Sequence, residues 1–138
     1  MVAKMHQGRC ACGAVTFEFD TDPDFVAICH CLDCKTASGG EAATWFAVPE
    51  SDFSILSGDP VGYHYVADSG GGLDRMVCPK CHARLYTANL DNFPSTVFVQ
   101  IGSLKDASSI TPKLEMFTKR RLAWATPLDM PQFTDMPH

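Results

Sequence analysis

The chain has no long apolar run. Nothing in it approaches the roughly 18 residues that would suggest a membrane-spanning helix. Its start, Met1-Val-Ala-Lys-Met-His-Gln-Gly-Arg-Cys10, lacks the apolar stretch of ~7–15 residues of a secretory signal. Basic charge is also scarce: 11 Lys and Arg face 16 Asp and Glu, for a net charge of -5. A protein that neutralises phosphates needs a basic face, so this balance argues against nucleic acid and anionic membranes as partners. There is no internal repeat, no linker long enough to divide the chain, and little helical periodicity. Asp68-Ser-Gly-Gly-Gly72 reads as a flexible loop without the strand and helix context of a dinucleotide site.

What remains is ordinary globular composition in 138 residues, one domain's worth of chain, with seven cysteines. Without an export signal the expected compartment is the cytoplasm, where stable disulfides are rare. Seven is odd, so a closed disulfide framework would leave one thiol over. Metal ligands or reactive thiols are the expectation.

Short strands account for most of the rest. Val15, Phe17 and Phe19 alternate with polar neighbours, the period of a half-buried strand. Further strands are expected over residues 44–48, 53–56, 61–66, 96–101 and 114–117, each bounded by Pro, Gly or Ser. One or two helical turns can follow Asp33 before Gly39-Gly40 ends them. The segment 127–138 is expected to trail along the surface. Together these predict an all-β fold class.

The cysteines fall into three clusters: Cys10-Ala-Cys12, Cys29-His-Cys31-Leu-Asp-Cys34, and Cys78-Pro-Lys-Cys81. The first and third are two short-spaced thiolate pairs, which together supply the tetrahedron that structural zinc prefers. Buried core cysteines or a redox pair are the plainer readings. However, core cysteines have no reason to arrive as close pairs flanked by Gly, Pro and Lys, and no βαβ pattern surrounds Cys78 and Cys81. The middle cluster offers three thiolates, which leaves a fourth zinc position for substrate. His30, His64 or His82 could instead complete a closed site, and metal-free thiol redox chemistry is a further alternative.

Gly8-Arg-Cys10-Ala-Cys12-Gly-Ala-Val-Thr-Phe17, the Cys29/Cys31/Cys34 cluster and Cys78-Pro-Lys-Cys81 resemble the glutathione-dependent formaldehyde-activating enzyme family, the GFA/CENP-V domain. The resemblance extends through Phe53 to Gly58, Gly102-Ser-Leu104, Pro112, Trp124 and Leu128 to Phe133. It implies an Mss4-like fold of small curled antiparallel sheets over residues 1–138, with zinc-binding hairpins. It also implies two zinc sites, Cys10, Cys12, Cys78 and Cys81 structural, and Cys29, Cys31 and Cys34 catalytic. The implied activity is that of a carbon–sulfur lyase, forming or cleaving the adduct of glutathione and formaldehyde, S-(hydroxymethyl)glutathione. Two departures stand out. His82 occupies a position where the family usually has Gly, which predicts an altered turn. Glu115 occupies one where it usually has His, which bears on the substrate.

Such an enzyme would place a substrate thiol on the open metal position for attack on an aldehyde. Glutathione carries carboxylates, so Lys35 and the run Lys119-Arg120-Arg121 are candidate pocket cations, although each also reads as a solvated surface charge. Asp33 and His30 flank the ligands as candidate supporting groups or proton shuttles. Trp45, Tyr63, Tyr65, Tyr86 and Trp124 read as core. The competing function is a non-catalytic zinc-binding module that engages another macromolecule.

Overall fold

The computed structural model describes residues 5–67 and 70–137. Its strands, in chain order, are β1 (His6–Arg9), β2 (Thr16–Phe19), β3 (Val26–Cys29), β4 (Ala43–Pro49) and β5 (Phe53–Ser57). They continue with β6 (Val61–Val66), β7 (Gly72–Val77), β8 (Arg84–Ala88), β9 (Thr96–Gln100) and β10 (Leu114–Met116). Among the described residues the one α-helix is α1 (Leu32–Ser38). The all-β class is what the chain adopts.

Two sheets form: three strands in the order β1-β2-β5, and seven in the order β10-β3-β4-β9-β8-β7-β6. The pairings are antiparallel except β10 on β3, which is parallel. One sheet is therefore larger than the short, evenly spaced strands suggest, because β3, β7 and β8 fill gaps in the pattern.

Alternation along the strands creates two apolar clusters. In β4, Phe46 and Val48 face β2, where they meet Phe17 and Phe19 together with Val97, Val99 and Tyr86. Ala43 and Trp45 of the same strand face the other way and pack with Ala27, Cys29 and Met116. Burying each large side chain of the first cluster is worth roughly 1.5–3 kcal/mol. Phe17 needs Gly8 opposite it, because a Cβ at Gly8 would stand 2.1 Å from the Phe17 ring.

The expected strands appear within a residue or two of their sequence bounds. β3, β7 and β8 carry no clean alternation, because both faces of these inner strands are largely covered. β1 does alternate, but its inward residues are His6 and Gly8, which no apolar pattern marks. The loop read at 68–72 lies partly outside the described residues, while Gly72 opens β7. The chain's last segment is tied down: Glu115 N–H donates to Pro131 O at 3.0 Å, and Phe133 N–H donates to Glu115 O at 2.9 Å.

Of the aromatics read as core, Trp45 and Tyr86 are buried at 7% exposure each. Tyr63 and Trp124 are corrections, standing 67% and 71% exposed. Tyr63 lies on β6, the edge of the seven-stranded sheet, where nothing covers its outer surface.

Candidate metal centres

Two tight turns bring four cysteines together. In the first, Cys10 N–H donates to Val15 O at 3.1 Å and Gly13 N–H to Cys10 O at 3.2 Å. In the second, Cys78 N–H donates to Ala83 O at 3.2 Å and His82 N–H to Cys78 O at 2.9 Å. Both turns close through a left-handed residue, Gly13 at φ 80° and His82 at φ 64°. His82 itself takes the left-handed conformation that glycine adopts readily. Backbone N–H groups then point at sulfur, Val15 to Cys10 Sγ at 3.2 Å and Lys80 to Cys78 Sγ at 3.3 Å.

Sulfur spacing tests whether this site fits zinc. Cys10 Sγ lies 3.6 Å from Cys12 Sγ, and Cys12 Sγ 3.8 Å from Cys78 Sγ. A tetrahedron of sulfurs ~2.3 Å from a central zinc has edges of about 3.8 Å. A disulfide needs about 2.05 Å, and all seven cysteines are free thiols. The four ligand atoms, those of Cys10, Cys12, Cys78 and Cys81, lie within 4.8 Å of one another. Cys10 and Cys78 are buried in the first apolar cluster, so this centre ties the two ends of a long loop into the core. The residues fit a closed thiolate site.

The second group is Cys29, Cys31 and Cys34, also with sulfurs within 4.8 Å of one another. Cys29 ends β3, where its burial comes from Ala27, Trp45 and Met116. Cys31 is the N-cap of α1 and its sulfur accepts the Cys34 N–H at 3.2 Å. That cap fixes both ligands on the first turn, and Gly39 in the left-handed conformation ends the helix one turn later. Cys34 packs against the apolar cluster that contains Trp45. Hydrogen bonds from the Cys29 and Cys34 thiols pull Cys31 far down, and Cys31, Cys34 and burial push Cys29 far up. One thiolate forms readily here, whereas three together need a cation among them.

The histidines are engaged elsewhere. His30 lies between two ligands, yet its Nε2 is 2.7 Å from Glu115 Oε1, and both side chains are buried. His64 Nδ1 is 2.8 Å from Asp74, and His6 Nε2 is 2.8 Å from Asp22. His82 belongs to the other site's turn. Among the described residues, no histidine or carboxylate joins the three cysteines. Asp33 accepts a hydrogen bond from the Tyr65 hydroxyl, which ties the helix to β6.

Lys35, Lys119 and Arg121, three of the four cations suggested by sequence, are occupied. Lys35 Nζ donates to Arg120 O, Lys119 pairs with Asp135, and Arg121 bonds to Gln132 and lies 3.4 Å from Glu115. Sequence reasoning passed over Arg75 and Arg84, which sit in strands with no motif around them. It also read Trp45 as core only, although Cys34 packs against the same cluster.

Residues 5–120 match the family model described as glutathione-dependent formaldehyde-activating enzyme. No curated protein matches the chain. Among solved structures, a Rhodobacter sphaeroides protein is similar at 17% identity and a TM-score of 0.58. That likeness covers 92% of this chain and 98% of the other, and it carries the fold alone. No helix of the described residues is long and apolar enough to cross a membrane.

Proposed function

The chain belongs to the glutathione-dependent formaldehyde-activating enzyme family, and from that premise we propose that it joins and splits thiol–aldehyde adducts at Cys29, Cys31 and Cys34. In this reading Cys10, Cys12, Cys78 and Cys81 hold a structural zinc and the three-cysteine group a catalytic one. The observation that carries the proposal is the contrast between the two groups. Four sulfurs close one site, whereas three form the other and the adjacent His30 is held by Glu115.

Cys29, Cys31 and Cys34 would hold the zinc, which would supply a fourth position and lower the pKa of a thiol bound there. The chain's own residues set the stage for that step. Three anionic ligands leave the centre with a formal charge of -1, which suits delivery of a thiolate better than polarisation of a carbonyl. Cys31 is fixed as the helix cap and Cys29 at the strand end, and the cluster that contains Trp45 packs against the triad. The substrate sulfur then bonds to the aldehyde carbon, the carbonyl π pair moves to oxygen, and the proton lost by sulfur ends on that oxygen. The product is a hemithioacetal, and the same path reversed splits the carbon–sulfur bond. Glutathione and formaldehyde are the substrates that the family suggests, in a cytoplasmic setting.

Native mass spectrometry with and without millimolar glutathione tests this. Two zincs per chain, with the second carrying glutathione or released by it, are expected. Two zincs indifferent to every thiol would favour a non-catalytic zinc module.

A further inference from the structure

We infer that Arg75 and Arg84 form a carboxylate-recognition pair beside the three-cysteine centre, which selects thiols that carry a carboxylate. The inference rests on the function proposed above and names its substrate class.

Strand register places the pair. Arg75 on β7 lies opposite Thr87 on β8, Thr87 opposite Phe98, and Phe98 opposite Ala47 on β4. Ala47 shares its face of β4 with Trp45 and Ala43, and these lie opposite Ala27 and Cys29. Arg75 thus stands on the face of the sheet that carries the triad. Simple alternation would put Arg84 on the opposite face, with Tyr86. The ladder instead skips a residue, pairing Met76 with Tyr86 but Val77 with Arg84. Val77 shares the face of Arg75, so the bulge turns Arg84 towards the triad and leaves Leu85 and Tyr86 in the other cluster. Consistent with this, the Arg84 guanidinium senses the charges of both Arg75 and Cys34.

Among the described residues neither arginine forms an ion pair, and Arg75 makes only a ring contact. Nε and Nη1 of Arg84 are shielded from solvent with no hydrogen-bond partner. The Arg75 guanidinium lies over the Tyr65 ring at 4.2 Å, and the Tyr65 hydroxyl bonds to Asp33, the neighbour of Cys34. Two like charges on one wall, one of them desolvated, are costly without an anion. A guanidinium fork is built for a carboxylate, which it binds through two parallel N–H bonds. The cysteine cluster and Asp33 are acidic groups already on this side, and the experiment must separate neutralising them from holding a ligand. Arg84 also borders a cavity of about 440 Å³ beside Cys10, together with Arg9 and Lys105, a rival pair of cations.

The test uses the zinc-loaded protein and its cobalt-substituted form, whose absorption reports thiol binding at the metal. Affinity is measured for glutathione, for its dimethyl ester and for 2-mercaptoethanol. Wild type is expected to hold glutathione at least about tenfold tighter than the ester. Arg75→Gln and Arg84→Gln should each reduce that preference about tenfold, with metal content and ester affinity unchanged, a size typical of hydrogen bonds to charged groups. Arg9→Gln and Lys105→Gln should leave it intact. The inference is overturned if the preference survives both arginine changes, or if it disappears with Arg9 or Lys105. Equal weakening of glutathione and ester in Arg84→Gln would also overturn it, because the arginine would then only neutralise the thiolates. Thiol binding without any carboxylate preference sinks this inference alone. No thiol binding at the metal sinks the proposed function and this inference with it. Should Arg84→Gln fold poorly, Arg75→Gln, at a partly exposed position, still decides the matter.

Discussion

His30 Nε2 and Glu115 Oε1 lie 2.7 Å apart with both side chains buried, 85 positions apart in sequence. The second carboxylate oxygen accepts from Leu128 N–H and Gln132 Nε2, each at 2.8 Å, and Arg121 stands 3.4 Å from the first. Glu115 is therefore the knot that joins the loop between Cys29 and Cys31, strand β10 and the segment 128–132. At the position where the family resemblance implies histidine, this chain has an acid that holds His30.

Burial pushes the Glu115 carboxyl up, but hydrogen bonds from Gln132, His30 and Leu128 and the charge of Arg121 outweigh it and hold it at about 2. An acid depressed in the folded state stabilises it fully above the unfolded value, near 4.5, and loses that contribution as pH falls towards about 2. At neutral pH the contribution is about 3 kcal/mol. Urea unfolding of wild type and Glu115→Gln should differ by that order at pH 7 and converge as pH falls below about 4. Curves that stay parallel to pH 3 would show that the carboxylate charge contributes nothing.

The His82 turn supplies a second prediction. A non-glycine residue in the left-handed region costs roughly 1–2 kcal/mol, and His82 sits there at φ 64°. Replacing it with glycine relieves that strain at some loss of unfolded-state entropy. His82→Gly should therefore raise stability by roughly 0.5–1 kcal/mol with zinc content unchanged. Gly13→Ala, at the equivalent turn, should lower it by a similar or larger amount. A destabilised His82→Gly variant would mean that the imidazole has a role its backbone does not show.

Much of this was legible in the sequence, for identifiable reasons. Cysteine spacing is a local property that folding preserves, so Cys10, Cys12, Cys78 and Cys81 meet, as do Cys29, Cys31 and Cys34. Period-two alternation found β2 because one of its faces is open, and missed β3 because it is covered on both. The arginines were hidden because a bulge decides which face Arg84 takes, and no pattern in residues 84–88 announces it. Lys35, Lys119 and Arg121 looked available only because sequence does not show their partners, Arg120 O, Asp135 and Glu115.

The two cysteine groups should respond differently to loss of one ligand. Cys78 is fully buried among Phe17, Leu85 and Val15, and a structural zinc's binding energy is folding energy. Cys78→Ala should lose the cooperative unfolding transition along with one metal. Cys34→Ala sits on the partly exposed first turn of α1 and should keep the transition while losing the other metal and thiol binding. Circular dichroism melts with metal analysis decide this. Equal unfolding in both variants would contradict the division into one closed and one open site.

The two tryptophans separate packing from chemistry. Trp124 is 71% exposed, so Trp124→Phe should change stability by less than about 0.5 kcal/mol. Trp45 is 7% exposed, stacks on Phe98 with ring centroids 4.3 Å apart and belongs to the cluster against which Cys34 packs, so Trp45→Ala should cost roughly 3–5 kcal/mol. In the Trp124→Phe background all indole emission comes from Trp45. Its environment is apolar on one side and sulfur on the other, so the emission should be blue-shifted. It should also change in intensity when zinc is removed from the three-cysteine group or a thiol is added. An emission spectrum indifferent to metal and thiol would place Trp45 in the core alone, apart from the three-cysteine group.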